Sequence, residues 1–443
     1  MQFWKAKRLF GVKCTGAGIL LAFFALQATA QNSPYSRFGL GDASNSQNAA
    51  NRAMGGVSRA YADGQTINFI NPASYSQLQL TTLDAGLEGG SRRITDQNDK
   101  SFNSGYGTLS YLLIGMPLKT GGGWGLTFGL TPRTKVNYDI HQQDSLTNVG
   151  ENVGYLYQGN GGTYQAFVGT GFRIKGFRFG VNAGYLFGSV NHNTQAIYPQ
   201  DSVGLYNSNI TSRTSFGGFF WDAGMQVHVK MGSKMGLELG VSGGTKTTLK
   251  GNTDYLAETF YNTGDPADPS PQNLDTVSYV KGDRGNVVYP GHYGFGLLLH
   301  DNGHWTVGAD YEVSTWSDYS FFGKVDSLDY LQDSWTLRVG AQYVPSTSPL
   351  SRSYWSMVAY RIGFYTGRDY LRYGGENMNT YAFSFGAGLP IRNFTRNGQY
   401  TIVNTAFELG KRGGTANPLS ETFFRATVGF TLSDIWFIKR KYR

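Results

Sequence analysis

The run Arg178-Phe179-Gly180-Val181-Asn182-Ala183-Gly184-Tyr185-Leu186-Phe187-Gly188 alternates. Phe179, Val181, Ala183, Tyr185 and Phe187 fall on one face; Arg178, Gly180, Asn182, Gly184 and Gly188 fall on the other. Successive side chains of a strand point to opposite sides, so a period of two is a strand with one bulky apolar face and one small or polar face. The pattern recurs. Leu337, Val339, Ala341 and Tyr343 alternate with Arg338, Gly340 and Gln342. Tyr381, Phe383, Phe385, Ala387 and Leu389 alternate with Ala382, Ser384, Gly386 and Gly388. Phe424, Ala426, Val428, Phe430 and Leu432 alternate with Arg425, Thr427, Gly429 and Thr431. Such segments, followed from Thr81 onward, predict about fourteen strands, at 80–94, 103–118, 122–138, 162–174, 176–191, 213–230, 234–250, 287–300, 303–323, 333–345, 353–366, 379–391, 399–411 and 421–433.

A water-soluble barrel would have to pack all these bulky faces inside, and there are too many of them. Lipid outside, with water or a plug inside, accounts for both faces. The expected fold is therefore all-β: a transmembrane antiparallel barrel whose outer bulky band ends in Tyr, Phe and Trp girdles. Composition agrees. Charged residues are 15% of the chain, against about 25% in soluble domains, and a mean hydropathy of -0.32 is too polar for a bundle of membrane helices. Tight turns are expected at Lys119 to Gly121, Lys175-Gly176, Met231 to Ser233 and Asp301-Asn302, and long polar loops at 139–161, 192–212 and 251–286. Short periplasmic turns and long external loops mark such barrels, so both termini are expected in the periplasm.

Lys5, Lys7, Arg8 and Lys13, the apolar run Ala17 to Leu26, and Ala28-Thr29-Ala30 read as a secretory signal over 1–30, cleaved before Gln31. Cys14 lies within it, so the mature chain is expected to carry no thiol chemistry. Of the net charge of +8, four units lie in this leader and four in the tail at Lys439, Arg440, Lys441 and Arg443. The body carries no basic face, and no nucleic-acid partner is expected. Residues 31–79 do not alternate. Phe38, Leu40, Met54, Val57, Ile67, Phe69 and Ile70 need a buried surface, so this segment is expected to fill the lumen as a hatch, with a short helix within Ala49 to Ala62. The barrel then spans 80–443.

Ala53-Met54-Gly55-Gly56-Val57, Ala62-Asp63 and Asn71-Pro72-Ala73-Ser74-Tyr75 resemble the hatch of the outer-membrane long-chain fatty-acid transporter (FadL-like) family. Pro290, Gly294, Trp305, Asp310 and Trp316-Ser317, and then Tyr360-Arg361-Ile362-Gly363-Phe364-Tyr365, are similar to its barrel segments. The resemblance implies a fourteen-stranded barrel with an N-terminal hatch, passing hydrophobic molecules by diffusion and releasing them sideways at a kink in the third strand. Pro132 lies in the third expected strand and cannot donate to a ladder; it is the candidate lateral opening. Asn71, Pro72 and Ala73 form the hatch motif. The ending Val428 to Phe437 with its basic tail is similar to barrels of bacteria with type 9 secretion, whose accessory barrels share the hatch motif without importing lipids.

The alternation points Asp222, Glu238, Asp310, Glu312, Arg338, Arg361, Glu408 and Arg425 into the lumen. Asp310, Arg338 and Arg361 are the candidate ligand-facing residues, an Arg fork suiting a carboxylate head group; structural cross-strand pairing is the competing reading. His300-Asp301-Asn302-Gly303-His304 reads first as a hairpin turn rather than a metal site. The acids at Asp254, Glu258, Asp265, Asp268 and Asp275 read as a solvated loop. With no hydrolase elbow, zincin motif or phosphate loop, no enzymatic activity, cofactor or metal is expected. The leading expectation is a channel for small hydrophobic, fatty-acid-like molecules in the outer membrane, with membrane lipid around it. The alternative is a closed barrel that partners other outer-membrane proteins as a subunit of a secretion or assembly complex.

Overall fold

The computed structural model describes residues 33–434 except 45–46, 120–121, 147–150, 199–205, 263–270, 302, 326–329, 349–352, 374, 393–399 and 415–416. The expected leader, Cys14 and the basic tail lie outside the described residues.

Fourteen antiparallel strands close into a barrel. They are β1 (Thr81–Asp96), β2 (Ser101–Pro117), β3 (Trp124–Leu146), β4 (Glu151–Ile174), β5 (Phe177–Ile197), β6 (Asn207–Met231), β7 in two pieces (Met235–Gly244 and Thr247–Asn262), β8 in two pieces (Pro271–Tyr289 and His292–Asp301), β9 (Trp305–Ser314), β10 (Ser334–Tyr343), β11 (Ala359–Tyr373), β12 (Glu376–Arg392), β13 (Tyr400–Arg412) and β14 (Leu419–Asp434). Each pairs with the next, and β14 returns to β1 from Leu419↔Asp96 to Asp434↔Thr81, which closes the sheet on itself. The break in β8 falls at Pro290-Gly291, where proline has no N–H to offer the ladder.

The bulky set of each strand faces outward. Phe177, Val181, Tyr185, Leu337, Val339, Phe383, Phe385 and Leu432 are all exposed, as a lipid-covered wall requires. Asn182, Asp310, Ser384, Glu408 and Thr427, from the opposite faces, are buried.

The expected long loops at 139–161, 192–212 and 251–286 are corrected. They are mostly strand: β3 and β4 run paired from Trp124↔Phe172 to Leu146↔Glu151, and β7 and β8 stay paired out to Asn262↔Pro271. The polar residues misled because these stretches do not alternate regularly, although their ladders are intact. At 24 residues, β4 is about 80 Å long at roughly 3.3 Å per residue, far beyond the 9–11 residues a membrane crossing uses. The acids Asp254, Glu258 and Asp275 accordingly lie on paired strands, while Asp265 and Asp268 lie outside the described residues. The segment expected as one strand over 303–323 ends at Ser314 in a 3-10 turn, Trp316–Asp318.

Residues 33–80 precede β1 and lie against the inward faces. Their helix α1 is limited to Ala49–Ala53, capped by the Asn48 side chain accepting from Asn51 N. A 3-10 turn, Pro72–Gln77, follows. Ala49, Ala53, Met54, Val57, Ile67, Ala73, Tyr75 and Leu78 are buried; Ile67, Tyr75 and Leu78 pack with Tyr111, Leu113 and Phe167 of the wall, and Met54 and Val57 with Leu298. The packed core of this protein thus lies between segment and wall. Each fully buried large side chain contributes about 1.5–3 kcal/mol to holding the two together.

Candidate functional site

The inward glycines make the fit between segment and wall. A Cβ on Gly180 of β5 would sit 2.3 Å from the carbonyl carbon of Pro72. With no side chain there, the 3-10 turn lies flat on the strand. Asn71 caps that turn by accepting from Ala73 N at 3.1 Å, while Pro72 at its first position supplies the preset φ. The Asn71 amide donates to Arg59 O at 2.6 Å and to Met225 O and Val241 O of β6 and β7, both at 3.3 Å. Ala73 is buried beneath. These three residues tie the segment to itself and to the wall.

Buried charges add to this. Arg52, 1% exposed, pairs with Glu88 of β1, donates to Thr427 Oγ1 at 2.7 Å and lies 3.8 Å from Glu408. Arg59 donates to Ser242 O at 2.9 Å and sits 3.1 Å from Glu312. Asp42 is held between Arg412 at 2.7 Å and Arg92 at 3.2 Å. Burial alone would raise the Asp42 carboxyl, but the two guanidiniums overcome it and hold the group below its ordinary value. Removing one member of a buried pair costs about 3–5 kcal/mol, because the other charge is stranded.

Asp310 accepts from Ser58 N at 2.6 Å and Arg59 N at 2.8 Å, so its carboxylate grips the segment's backbone. Arg338 donates to Glu312 at 2.9 Å. Arg361 donates to Gln342 Oε1 and Asn404 Oδ1, both at 2.8 Å. The structure therefore gives all three candidates protein partners. Asp310 and Arg338 meet around Arg59, whereas Arg361 is tied to the wall. Arg52, Arg59, Asp42, Arg92 and Arg412 were missed in the sequence. The signal for two of them was present: Arg52 and Arg59 flank the apolar Ala53 to Val57 run inside a segment expected to be buried.

A cavity of about 240 Å³ has Arg59, Arg92, Arg133, Arg338, Arg412 and Arg425 in its lining, together with Asp42, Asp222, Glu312 and Glu421. Its wall is charged, unlike the mostly apolar lining of a hydrophobic-ligand site.

Beside Pro132 the wall is discontinuous. The β2–β3 ladder runs only from Pro117↔Gly125 to Leu112↔Leu130, and the β3–β4 register slips between Pro132 and Thr134. The N-terminal segment occupies the freed edge. Asp42 and Ala43 pair with Lys135 and Thr134, and Ser44 N donates to Arg133 O at 2.9 Å. Gly41, at φ +97, permits this approach; a Cβ there would lie 2.5 Å from Lys135 O. A small cavity of about 60 Å³ remains, lined by Glu88, Arg92, Tyr106, Pro132, Lys135 and Arg425 among others.

Solved structures share this architecture at low identity. A Pseudomonas aeruginosa FadL homologue aligns with a TM-score of 0.57 at 12% identity over 88% of this chain and 98% of its own. The CymD monoaromatic hydrocarbon channel aligns at 0.55 and 14% over 88% and 98%. The Pseudomonas putida toluene transporter TodX aligns at 0.52 and 15% over 89% and 99%. These likenesses bear out the fold that the FadL-like motifs implied. No curated protein matches the sequence significantly. A family model described as BamG matches residues 14–443, nearly the whole chain, and the chain belongs to the BamG family.

Proposed function

We propose that this protein is an outer-membrane barrel kept shut by its own N-terminal segment, serving as a structural or accessory subunit of a larger outer-membrane secretion or assembly complex. The observation that carries this is the set of buried ion pairs between segment and wall, at Arg52, Arg59 and Asp42, around a charged cavity. A passage for apolar cargo would have to strand those charges and then offer a polar lining. In this reading residues 1–30 are a removed leader, 31–79 the hatch and 80–443 the barrel. Both termini face the periplasm, and the strands extended beyond the bilayer stand on the opposite side. No catalytic step is assigned to it.

Passive diffusion of small hydrophobic molecules, the leading expectation from sequence, becomes the second reading. The interrupted β2–β3 ladder beside Pro132 favours it, as a candidate lateral opening. The ion-paired and charged lining of that opening weighs against it. Asp310, Arg338 and Arg361 act, in the first reading, as hatch and wall supports rather than as contacts for a head group.

Purification from the native host at native expression in mild detergent separates the two. The subunit reading expects other outer-membrane proteins at fixed stoichiometry and no uptake of an aromatic hydrocarbon into proteoliposomes above protein-free liposomes. A barrel that elutes alone and speeds that uptake would overturn it.

A further inference from the structure

We propose that His228, Glu238 and His300 form a binding site for a divalent ion of the zinc class, at the end of the barrel where β6 turns into β7. The three residues come from adjacent strands. His228 of β6 stands directly opposite Glu238 of β7, and Glu238 stands opposite Leu298 of β8, which puts His300 two positions along on the same face. One donor atom from each lies within 4.8 Å of the others. His228 Nδ1 is 2.7 Å and His300 Nε2 is 3.6 Å from Glu238 Oε1. Zinc bonds of about 2.0–2.2 Å in a tetrahedron set donor atoms roughly 3.3–3.6 Å apart, so the set needs to shift by no more than about an ångström.

Three further features fit a site. Gly236 lies under the imidazoles: a Cβ there would be 2.7 Å from His300 Nε2 and 2.9 Å from His228 Cε1, so any side chain would press on both rings. Arg178 donates to Glu238 Oε2 at 3.1 Å and to Oε1 at 3.3 Å. It can keep Oε2 while Oε1 turns to the ion, the usual work of an outer partner that orients a ligand carboxylate. Arg178 already balances the charge of Glu238, so two imidazoles converging on the same carboxylate exceed what an ion pair needs. Glu238 is buried while the imidazoles are 29% and 30% exposed, which leaves a coordination position open to solvent. Two imidazoles and one carboxylate suit zinc-class ions rather than calcium or magnesium, which take all-oxygen sets. His304, paired with His300 in the sequence, is not a member; its Nδ1 faces Val344 O at 3.1 Å.

The test is calorimetric titration of the detergent-solubilised chain, free of any histidine tag, with Zn²⁺. We expect saturable binding of one ion per chain. His228→Ala and His300→Ala should each weaken it by more than the roughly 10- to 100-fold that loss of an outer partner costs, and His304→Ala should leave it unchanged. Heat-modifiable gel migration reports folding of each variant, and His228→Gln with His300→Gln replaces any alanine variant that fails it. Absence of saturable binding, or binding that persists unchanged when both His228 and His300 are replaced, overturns the proposal.

Discussion

Arg52→Met keeps much of the length and apolar stem of the side chain while deleting its charge. Arg52 is 1% exposed, and its guanidinium serves Glu88, Thr427 and, at 3.8 Å, Glu408. The variant leaves two wall carboxylates, 11% and 3% exposed, without that cation. Stranding buried charge in this way costs about 3–5 kcal/mol. With tenfold for each 1.4 kcal/mol, the undocked population of the segment rises roughly 100- to 4000-fold. The assay is thiol labelling. The chain contains a single cysteine, Cys14, in the expected leader, so Ser58→Cys supplies a reporter thiol at a buried position beside Asp310. Labelling of that thiol in the native barrel should be slow, and Arg52→Met should accelerate it by at least about a hundredfold. Planar-bilayer conductance should rise in parallel. Adding Glu88→Gln and Glu408→Gln removes the stranded charges and should restore most of the protection. Equal labelling rates in native and Arg52→Met chains, with folding intact, would refute the claim that these ion pairs hold the segment.

Asp310→Ala removes the acceptor for Ser58 N and Arg59 N and should destabilise docking by about 1–3 kcal/mol, read by the same labelling. Gly180→Ala puts a Cβ 2.3 Å from Pro72 and should lower the thermal midpoint, at a cost of about 1–3 kcal/mol; Gly107→Ala, with nothing within 4 Å, is the matched control and should be close to neutral. Acid should loosen the segment at Asp42. Its native carboxyl is depressed below the ordinary value, while an unfolded aspartate titrates near about 3.9. The latch is therefore fully present above that pH and is lost as pH falls below it toward the native value. Planar-bilayer conductance should be flat from neutral pH down to about 5 and rise below about 3.9, while Asp42→Asn should abolish that acid-dependent step.

The alternation of Phe179 to Phe187 and its repeats carried the fold because a period of two reports a difference between two environments. Where that difference vanishes, the signal vanishes with the strand intact. This is why the stretches of β3 to β8 that do not alternate regularly read as loops although their ladders are intact. It is also why Leu186 broke the pattern. It falls on the small face, yet it is buried in the cluster that includes Phe69 and Phe167, because the other environment here is partly protein rather than water.

The site was legible in kind but not in partners. Asn71-Pro72-Ala73 carries local chemistry: in the structure Asn71 caps the 3-10 turn that Pro72 opens. Asp310, Arg338 and Arg361 could be assigned to the lumen by parity alone. Parity does not say what stands opposite across the lumen: Arg59 and Asp310 are 251 positions apart in sequence. A lumenal arginine looks the same in sequence whether it faces a ligand, a neighbouring strand or the protein's own N-terminal segment. The inward glycines could have separated these cases. Water asks nothing of Gly180, Gly240 or Gly340, and a serine or asparagine would serve as well. A Cβ at these positions would lie 2.0–2.3 Å from the backbone of Pro72, Arg59 and Met54. Glycine on the lumenal face of several consecutive strands, in a chain with a long N-terminal segment, is therefore the mark of a wall built to be covered rather than a wall built to line a pore.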